Sequence, residues 1–171
     1  ERPMVLTIGR FAPQKSPGVF IDAAKNVLAK RPEVAFVMVG DGPLFQQVQQ
    51  RLEKEHLQEQ ILLFGWRSDV KEILAACDIY VLSSLWEGLP YTVLEAMTLQ
   101  KPVVATAARG TRDLVQEGVT GFLVGLQDGK GMSEKILTLL GNPELSRRMG
   151  ETGRLRVEKG FTLKPHLKKT V

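Results

Sequence analysis

Short apolar runs recur along the chain, separated by longer stretches in which apolar and polar positions alternate at helical spacing. The runs fall at 4–8, 34–39, 61–64, 79–82, 103–105 and 121–124. None shows the in-out alternation of a half-exposed strand, so each reads as a strand covered on both faces. Between them, 18–30, 44–54, 70–76, 91–99 and 111–116 carry apolar residues three and four apart, as amphipathic helices do. Helical pattern then fills 132–140 and 143–159. Regular strand–helix alternation predicts an α/β fold: a parallel sheet of about six strands with helices on both faces. Neither an internal repeat nor a linker divides the chain, so 1–171 reads as one domain. Right-handed crossovers bring the loops that follow the strands to a single edge, where such sheets bind ligands.

Composition narrows the classes. The 171 residues are 43% hydrophobic and 25% charged, a globular balance. The apolar runs are far shorter than the roughly 20 residues of a membrane helix. The strand-like run begins almost at once, with no leader pattern before it, and a cytoplasmic location is expected. Cys77 is the sole cysteine, which excludes an internal disulfide and a paired-cysteine zinc site; its apolar neighbours predict a buried structural thiol. With only His56 and His166 available, a histidine-rich metal centre is excluded too. Net charge is +4, and from Arg147 onward eight basic residues face only Glu151 and Glu158. No aromatic residues interleave with these charges for base stacking, so nucleic acid is not an expected partner. Their spacing reads as the solvated face of a helix, and peripheral contact of a complete protein with an anionic membrane stays open.

Chemistry concentrates in the loops after the first four strands. These are the Gly9-Arg10-Phe11-Ala12-Pro13-Gln14-Lys15-Ser16 segment, Gly40-Asp41-Gly42-Pro43, Gly65-Trp66-Arg67-Ser68-Asp69, and 83–90. The second begins like a dinucleotide fingerprint, but Phe45 occupies the place of its third glycine; Gly129-Lys130-Gly131 lacks the remainder of a P-loop. In Glu87-Gly88-Leu89-Pro90-Tyr91-Thr92-Val93-Leu94-Glu95, Pro90 suits the first helical position. The exposed N–H groups of that helix start make an anion site. Gly88 permits close approach of backbone to ligand. Val93, Ala96 and Met97 then share a core stripe, while Tyr91, Glu95 and Thr98 share one that faces outward. Taken singly, Glu87 reads equally as a favourable charge at a helix start and Glu95 as a solvated one.

Together these segments resemble the group 4 glycosyltransferases, also classed as group 1 glycosyl transferases. The seven residues between Glu87 and Glu95 match the family's E-x7-E signature. Gly9-Arg10-Phe11…Lys15, Gly40-Asp41-Gly42-Pro43, Phe64-Gly65-Trp66, Pro102-Val103-Val104-Ala105 and Gly118-Val119-Thr120-Gly121-Phe122-Leu123-Val124 match further landmarks in order. The resemblance implies the carboxy-terminal, Rossmann-like half of a retaining transferase of GT-B fold, which binds a nucleotide-diphosphate sugar. It implies Arg10 and Lys15 on the diphosphate, Glu87 at the transferring sugar and Glu95 on the ribose hydroxyls. Gly88, Leu89, Pro90, Tyr91 and Thr92 would meet phosphate and sugar oxygens, with Gly9, Gly40, Gly65, Trp66 and Arg67 completing the donor site. Catalysis is expected from Glu87, Arg10 and Lys15, with no cofactor and no metal, since no Asp-x-Asp pair is present.

The same resemblance implies an amino-terminal acceptor domain elsewhere in the full-length protein, so transfer by this chain alone is expected to be poor or nil. The entry to the family's last helix is expected at 161–171. Ser16 stands where the family usually has glycine, Ser83 where it often has proline, and Asp113 where glutamate is commoner. The competing readings are a nucleotide-sugar epimerase, which needs further acid/base residues, and a non-catalytic nucleotide-sugar-binding module.

Overall fold

The computed structural model describes residues 2–160; the helix entry expected at 161–171 lies outside the described residues. Six strands form one all-parallel sheet: β1 (Met4–Ile8), β2 (Ala35–Val39), β3 (Ile61–Phe64), β4 (Ile79–Leu82), β5 (Val103–Thr106) and β6 (Gly121–Val124). Their spatial order is β3-β2-β1-β4-β5-β6. Register is set at the centre by Val5 beside Phe36 on one side and Ile79 on the other. Between β1 and β4 the order reverses, and a crevice opens at the carboxyl ends of strands at such a point.

Helices α1 (Pro17–Leu28), α2 (Phe45–Lys54), α3 (Val70–Ala76), α4 (Tyr91–Thr98), α5 (Arg109–Leu114), α6 (Gly129–Leu140) and α7 (Pro143–Gly160) cover the two faces. Successive strand residues point to opposite sides, so the sheet feeds two cores. Val5, Phe36, Met38, Val81 and Val104 pack with Phe20, Ala24, Leu52 and Ile136 from α1, α2 and α6. Leu6, Val37, Tyr80 and Ala105 pack on the other side with Leu74, Val93, Met97, Leu114 and Val157. The expected core stripe of α4 (Val93, Ala96, Met97) is fully buried.

Several boundaries differ from the sequence reading. Val34 is buried but precedes β2, and β5 extends to Thr106. Helix α1 starts at Pro17 and ends at Leu28, whereas α5 runs Arg109–Leu114 and not 111–116. Helix α6 begins at Gly129, three positions before the expected start, because the Asp128 carboxylate accepts from the Gly131 N–H and caps it. A 3-10 turn over Pro13–Lys15 had no counterpart in the pattern. Strand β3, at one edge, departs from the rule of burial on both faces, with Leu62 and Phe64 exposed, whereas β6 at the other edge packs against α6 and α7 and is mostly buried. The basic helix α7 answers much of its own charge, with Arg147–Glu151 and Arg154–Glu158 pairs one turn apart. Among the described residues no helix is long and apolar enough to cross a membrane.

Away from the site, α1 and α2 are tied by a charge cluster. Glu55 accepts from Lys25 (2.5 Å) and from Arg51 (2.8 Å), and Arg51 also bonds Asp22. The Lys25 hydrogen bond, followed by that from Arg51, brings the Glu55 carboxyl from its usual 4.5 down to about 2. A carboxyl lowered on folding stabilises fully above its unfolded value, and that contribution fades as pH falls through the folded one. Glu55→Gln is therefore expected to lower the melting temperature modestly above pH 4.5, the effect shrinking as pH falls towards 2. Exposed pairs contribute about 1 kcal/mol or less. Thermal melts of both proteins across that range, with added salt narrowing the gap, check it.

Candidate functional site

All four chemistry-bearing loops do emerge at the carboxyl edge, as a parallel sheet requires. The β1 loop is anchored to its neighbour by backbone: Gly9 N–H donates to the Val39 carbonyl and Phe11 N–H to that of Asp41. Gly40 lies at φ 141°, and a methyl there would overlap the Gly9 carbonyl oxygen. Only glycine lets these two loops lie so close.

Across the switch point the β1 and β4 loops are joined by side chains. Lys15 Nζ lies 2.5 Å from Glu87 Oε1, and Ser84 Oγ donates to the same oxygen at 2.5 Å. The Glu87 side chain is 7% exposed and that of Lys15 25%. A carboxylate so nearly withdrawn from water needs paired donors, and these two supply them. Around the pair, Ser83 Oγ donates to the Lys15 carbonyl (2.8 Å) and Gln14 Nε2 to that of Trp86 (2.9 Å). Leu85 N–H reaches the Gln14 carbonyl (2.8 Å), and Thr106 Oγ1 donates to the Ser84 carbonyl (2.5 Å). The two loops thus form one polar unit.

The start of α4 differs in detail from the expectation. Pro90 is the residue before the helix, with φ −75° and ψ 95°, and not its first turn; an extended ψ at that position turns the incoming chain before the helix begins. No side chain caps α4, so its first N–H groups stay open to an anion. Gly88 has empty space where a side chain would project, so its value is not forced by its own crowding. The crowded glycine is Gly110, at the start of α5, where a methyl would overlap the Gly88 carbonyl oxygen. Thr92, half-buried, bonds the hydroxyl of fully buried Tyr80 at 2.7 Å, and the same hydroxyl reaches the Ile8 carbonyl at 3.3 Å. Burial holds the Tyr80 phenol well above its ordinary range.

The remaining residues divide into a cleft and a rim. A cavity of about 480 Å³ opens beside β1–β3 and includes Gly9, Arg10, Gly40, Gly42, Trp66 and Arg67 in its lining. Arg10 is exposed, and its side chain forms no hydrogen bond or ion pair among the described residues. The Arg67 guanidinium is already engaged, gripping Asp69 through Nε (2.8 Å) and Nη2 (2.6 Å) and lying 5.9 Å from the Phe64 ring centroid. The Asp69 bond raises the Arg67 pKa and holds the Asp69 carboxyl below its usual range. Trp66 is 77% and Tyr91 71% exposed, with Leu89 also on the surface. Gly65 is half-buried with open space around it. Glu95, on the outward stripe of α4, is exposed, and its side chain makes no hydrogen bond or ion pair among the described residues. The structure therefore joins Lys15 and Glu87 directly, sets Arg10 with Trp66 and Arg67 around one cleft, and leaves Glu95 outside both groupings. Cys77 is buried away from these loops, and burial pushes its thiol up to about 12.

Ser84, Ser83, Gln14, Thr106 and Gly110 were not anticipated. Only Ser84 carried a local signal, a serine three residues before Glu87; the others meet the site through contacts between elements distant in sequence.

A 3-2-1-4-5-6 parallel sheet with its polar groups gathered at the switch point is the Rossmann-like domain found in GT-B glycosyltransferases. The chain belongs to the group 1 glycosyl transferase family, whose model matches residues 1–156. A UDP-Gal:α-D-GlcNAc-diphosphoundecaprenol α-1,3-galactosyltransferase of Escherichia coli is 34% identical over 159 residues, 91% of this chain and 41% of that protein. TarM from S. aureus, solved with fondaparinux, α-GlcNAc-glycerol and UDP, superposes with a TM-score of 0.94 at 26% identity, over 98% of this chain and 34% of TarM. HepE from Anabaena, solved with UDP-glucose, gives 0.84 at 26% identity, over 91% and 44%. The chain thus spans about two fifths of the length of the curated relatives it matches.

Gly110→Ala is expected to displace the Glu87–Gly88 backbone and to lower stability by about 1–3 kcal/mol, as overpacking does. Gly88→Ala, with open space around it, is expected to leave stability nearly unchanged. Chemical denaturation of the two variants beside the native chain checks the contrast.

Proposed function

We propose that this chain binds a nucleoside-diphosphate sugar, with UDP as the nucleotide, for a glycosyltransferase that retains anomeric configuration. The observation that carries the reading is the Lys15–Glu87–Ser84 junction at the switch point, beside an uncapped helix start. Lys15 spends one of its three N–H donors on Glu87 and has two left for phosphate oxygens. Arg10 adds a second, unpaired cation, and the backbone from Gly88 to Thr92 adds neutral donors. UDP in the TarM structure and UDP-glucose in the HepE structure support the choice of nucleotide.

In this reading the nucleoside occupies the cleft bounded by Gly9, Gly40, Trp66 and Arg67, with Gly65 adjoining in sequence, and Glu95 takes the ribose hydroxyls. Transfer breaks the bond from the sugar's anomeric carbon to the β-phosphate oxygen, and the electron pair leaves with the diphosphate. Charge grows on that oxygen, and Arg10, Lys15 and the helix start stabilise it without a metal. The acceptor hydroxyl oxygen forms the new bond at the anomeric carbon and its proton passes to the departing β-phosphate oxygen, while Glu87 stabilises positive character at that carbon. The resemblance to the E-x7-E family, and no separate geometric feature, supports retention. Activity of the whole protein requires an acceptor site in addition to these groups.

The test is titration of the chain with UDP, uridine and UDP-glucose by calorimetry. Lys15→Ala and Arg10→Ala are each expected to weaken UDP by about tenfold or more, since charge-assisted bonds contribute roughly 1.5–3 kcal/mol, and to change uridine little. Glu95→Ala is expected to weaken UDP and uridine together. Glu87→Ala should spare UDP and reduce only the added affinity of the sugar nucleotide. Equal losses of UDP in the two glutamate variants would reject the assigned roles.

A further inference from the structure

We propose that Ser84 is a positioning residue that fixes the Glu87 carboxylate so that only Oε2 meets the sugar of the donor. The proposal rests on the donor reading above and adds to it which carboxylate oxygen acts and what sets it.

Both protein donors converge on one oxygen. Lys15 Nζ and Ser84 Oγ each lie 2.5 Å from Glu87 Oε1, and Oε2 has no hydrogen-bond partner among the described residues. Nor is Oε2 sealed in, for it is absent from the buried unpartnered atoms, which are Gln60 Oε1 and Thr111 Oγ1. The only part of the carboxylate left to accept a bond from a ligand hydroxyl is therefore a single, solvent-reachable oxygen.

Lysine alone would not maintain that division. The terminal torsion of a glutamate is broad and nearly two-fold, and an ammonium on a flexible stem follows whichever oxygen is presented. A second donor fixed in space removes the freedom. Ser84 has that fixity: it is fully buried, and its own carbonyl accepts from Thr106 Oγ1 at the end of β5. The hydroxyl is thus held from the sheet, and the carboxylate is aligned before any ligand arrives, which spares the ordering cost on binding. A serine bonding the nearest acceptor three residues on is a common local turn. What distinguishes this one is the shared oxygen: the turn bond and the inter-loop ion pair end on the same atom and leave the other clear.

The experiment compares UDP with UDP-glucose, UDP-galactose and UDP-GlcNAc on the native chain, Ser84→Ala and Ser84→Cys. The sugar nucleotide with the greatest gain over UDP serves as probe. In Ser84→Ala, UDP affinity is expected to stay within about twofold, while the sugar's added affinity falls by up to about tenfold, the loss of one well-placed charged bond. Ser84→Cys keeps the shape with a weaker donor and should lie between; it carries the test if the alanine variant does not fold. Ser84→Thr, which restores the hydroxyl, should recover most of the gain. An unchanged ratio of sugar nucleotide to UDP in both the alanine and cysteine variants overturns the proposal, as does a parallel loss of both ligands. A native chain that binds UDP but gains nothing from any of the sugars overturns it as well. Failure of the native chain to bind any of the four removes the donor reading itself.

Discussion

The ion pair between Lys15 and Glu87 holds the edge of this sheet in working order. It spans the place where strand order reverses, so it joins loops from strands that lead away into opposite halves of the sheet. Glu87 could not sit there unpaired, whereas Lys15 keeps a quarter of its side chain exposed to water. Breaking a fully buried pair costs about 3–5 kcal/mol because the surviving charge is stranded, and Glu87 approaches that condition. The pair is therefore less a source of stability than a condition on geometry: the two loops must stay in register for the Glu87 carboxylate to be tolerated. The bonds around it serve the same end, with Ser83, Gln14, Leu85 and Thr106 each linking one loop to the other or to β5.

A contrast follows between groups that are fastened and groups that are free. Lys15, Glu87, Ser84, Tyr80 and Thr92 are tied into the protein through bonds of 2.5–2.7 Å. Arg10, Glu95 and the first N–H groups of α4 are exposed or uncapped. A site assembled this way has a rigid floor over the two cores and a set of unspent polar groups at its mouth. Rigid placement keeps charges where transition-state charge develops, while unspent donors and acceptors retain their full capacity for a ligand. Arg67 belongs to the first class although its position suggested the second, since its planar fork is occupied by Asp69. Trp66 remains the free surface on that side of the cleft.

The architecture was legible because burial on both faces leaves a plain mark, an uninterrupted apolar run; β4 and β5 are buried at every position, and β1, β2 and β6 at most of theirs. Strand β3 wrote the same run yet leaves Leu62 and Phe64 exposed, while β6 at the other edge is covered by α6 and α7; apolar content does not say how far the helices reach over each strand. The outward stripe of α4 could be read from helix phase alone, and so could the convergence of four loops. What escaped was the wiring between them. Gly110 is required by a carbonyl from a loop more than twenty positions earlier, and Thr106 by another; no local pattern encodes such contacts. Gly88 shows the converse, since the space beside it is open and no contact among the described residues requires glycine there.

Two departures from the family pattern bear on each other. Ser16 adopts φ 48° and ψ 53°, a left-handed conformation natural to the glycine usually found there. Such a conformation costs a serine about 1–2 kcal/mol relative to its ordinary wells. Ser83, standing where proline is frequent, places its hydroxyl 2.8 Å from the Lys15 carbonyl and 3.2 Å from that of Ser16. The hydroxyl has one proton to share between them, and a well-formed hydrogen bond contributes roughly 1 kcal/mol, which is the scale of the strain. Proline at 83 would offer no such donor. The pair of serines thus keeps the turn that carries Lys15 by a different route, trading a residue that needs no help for one that is held from the next loop. The consequence is that the conformation of the cationic loop depends on β4, the same strand that delivers Glu87, so the two charges are set by one element of the fold.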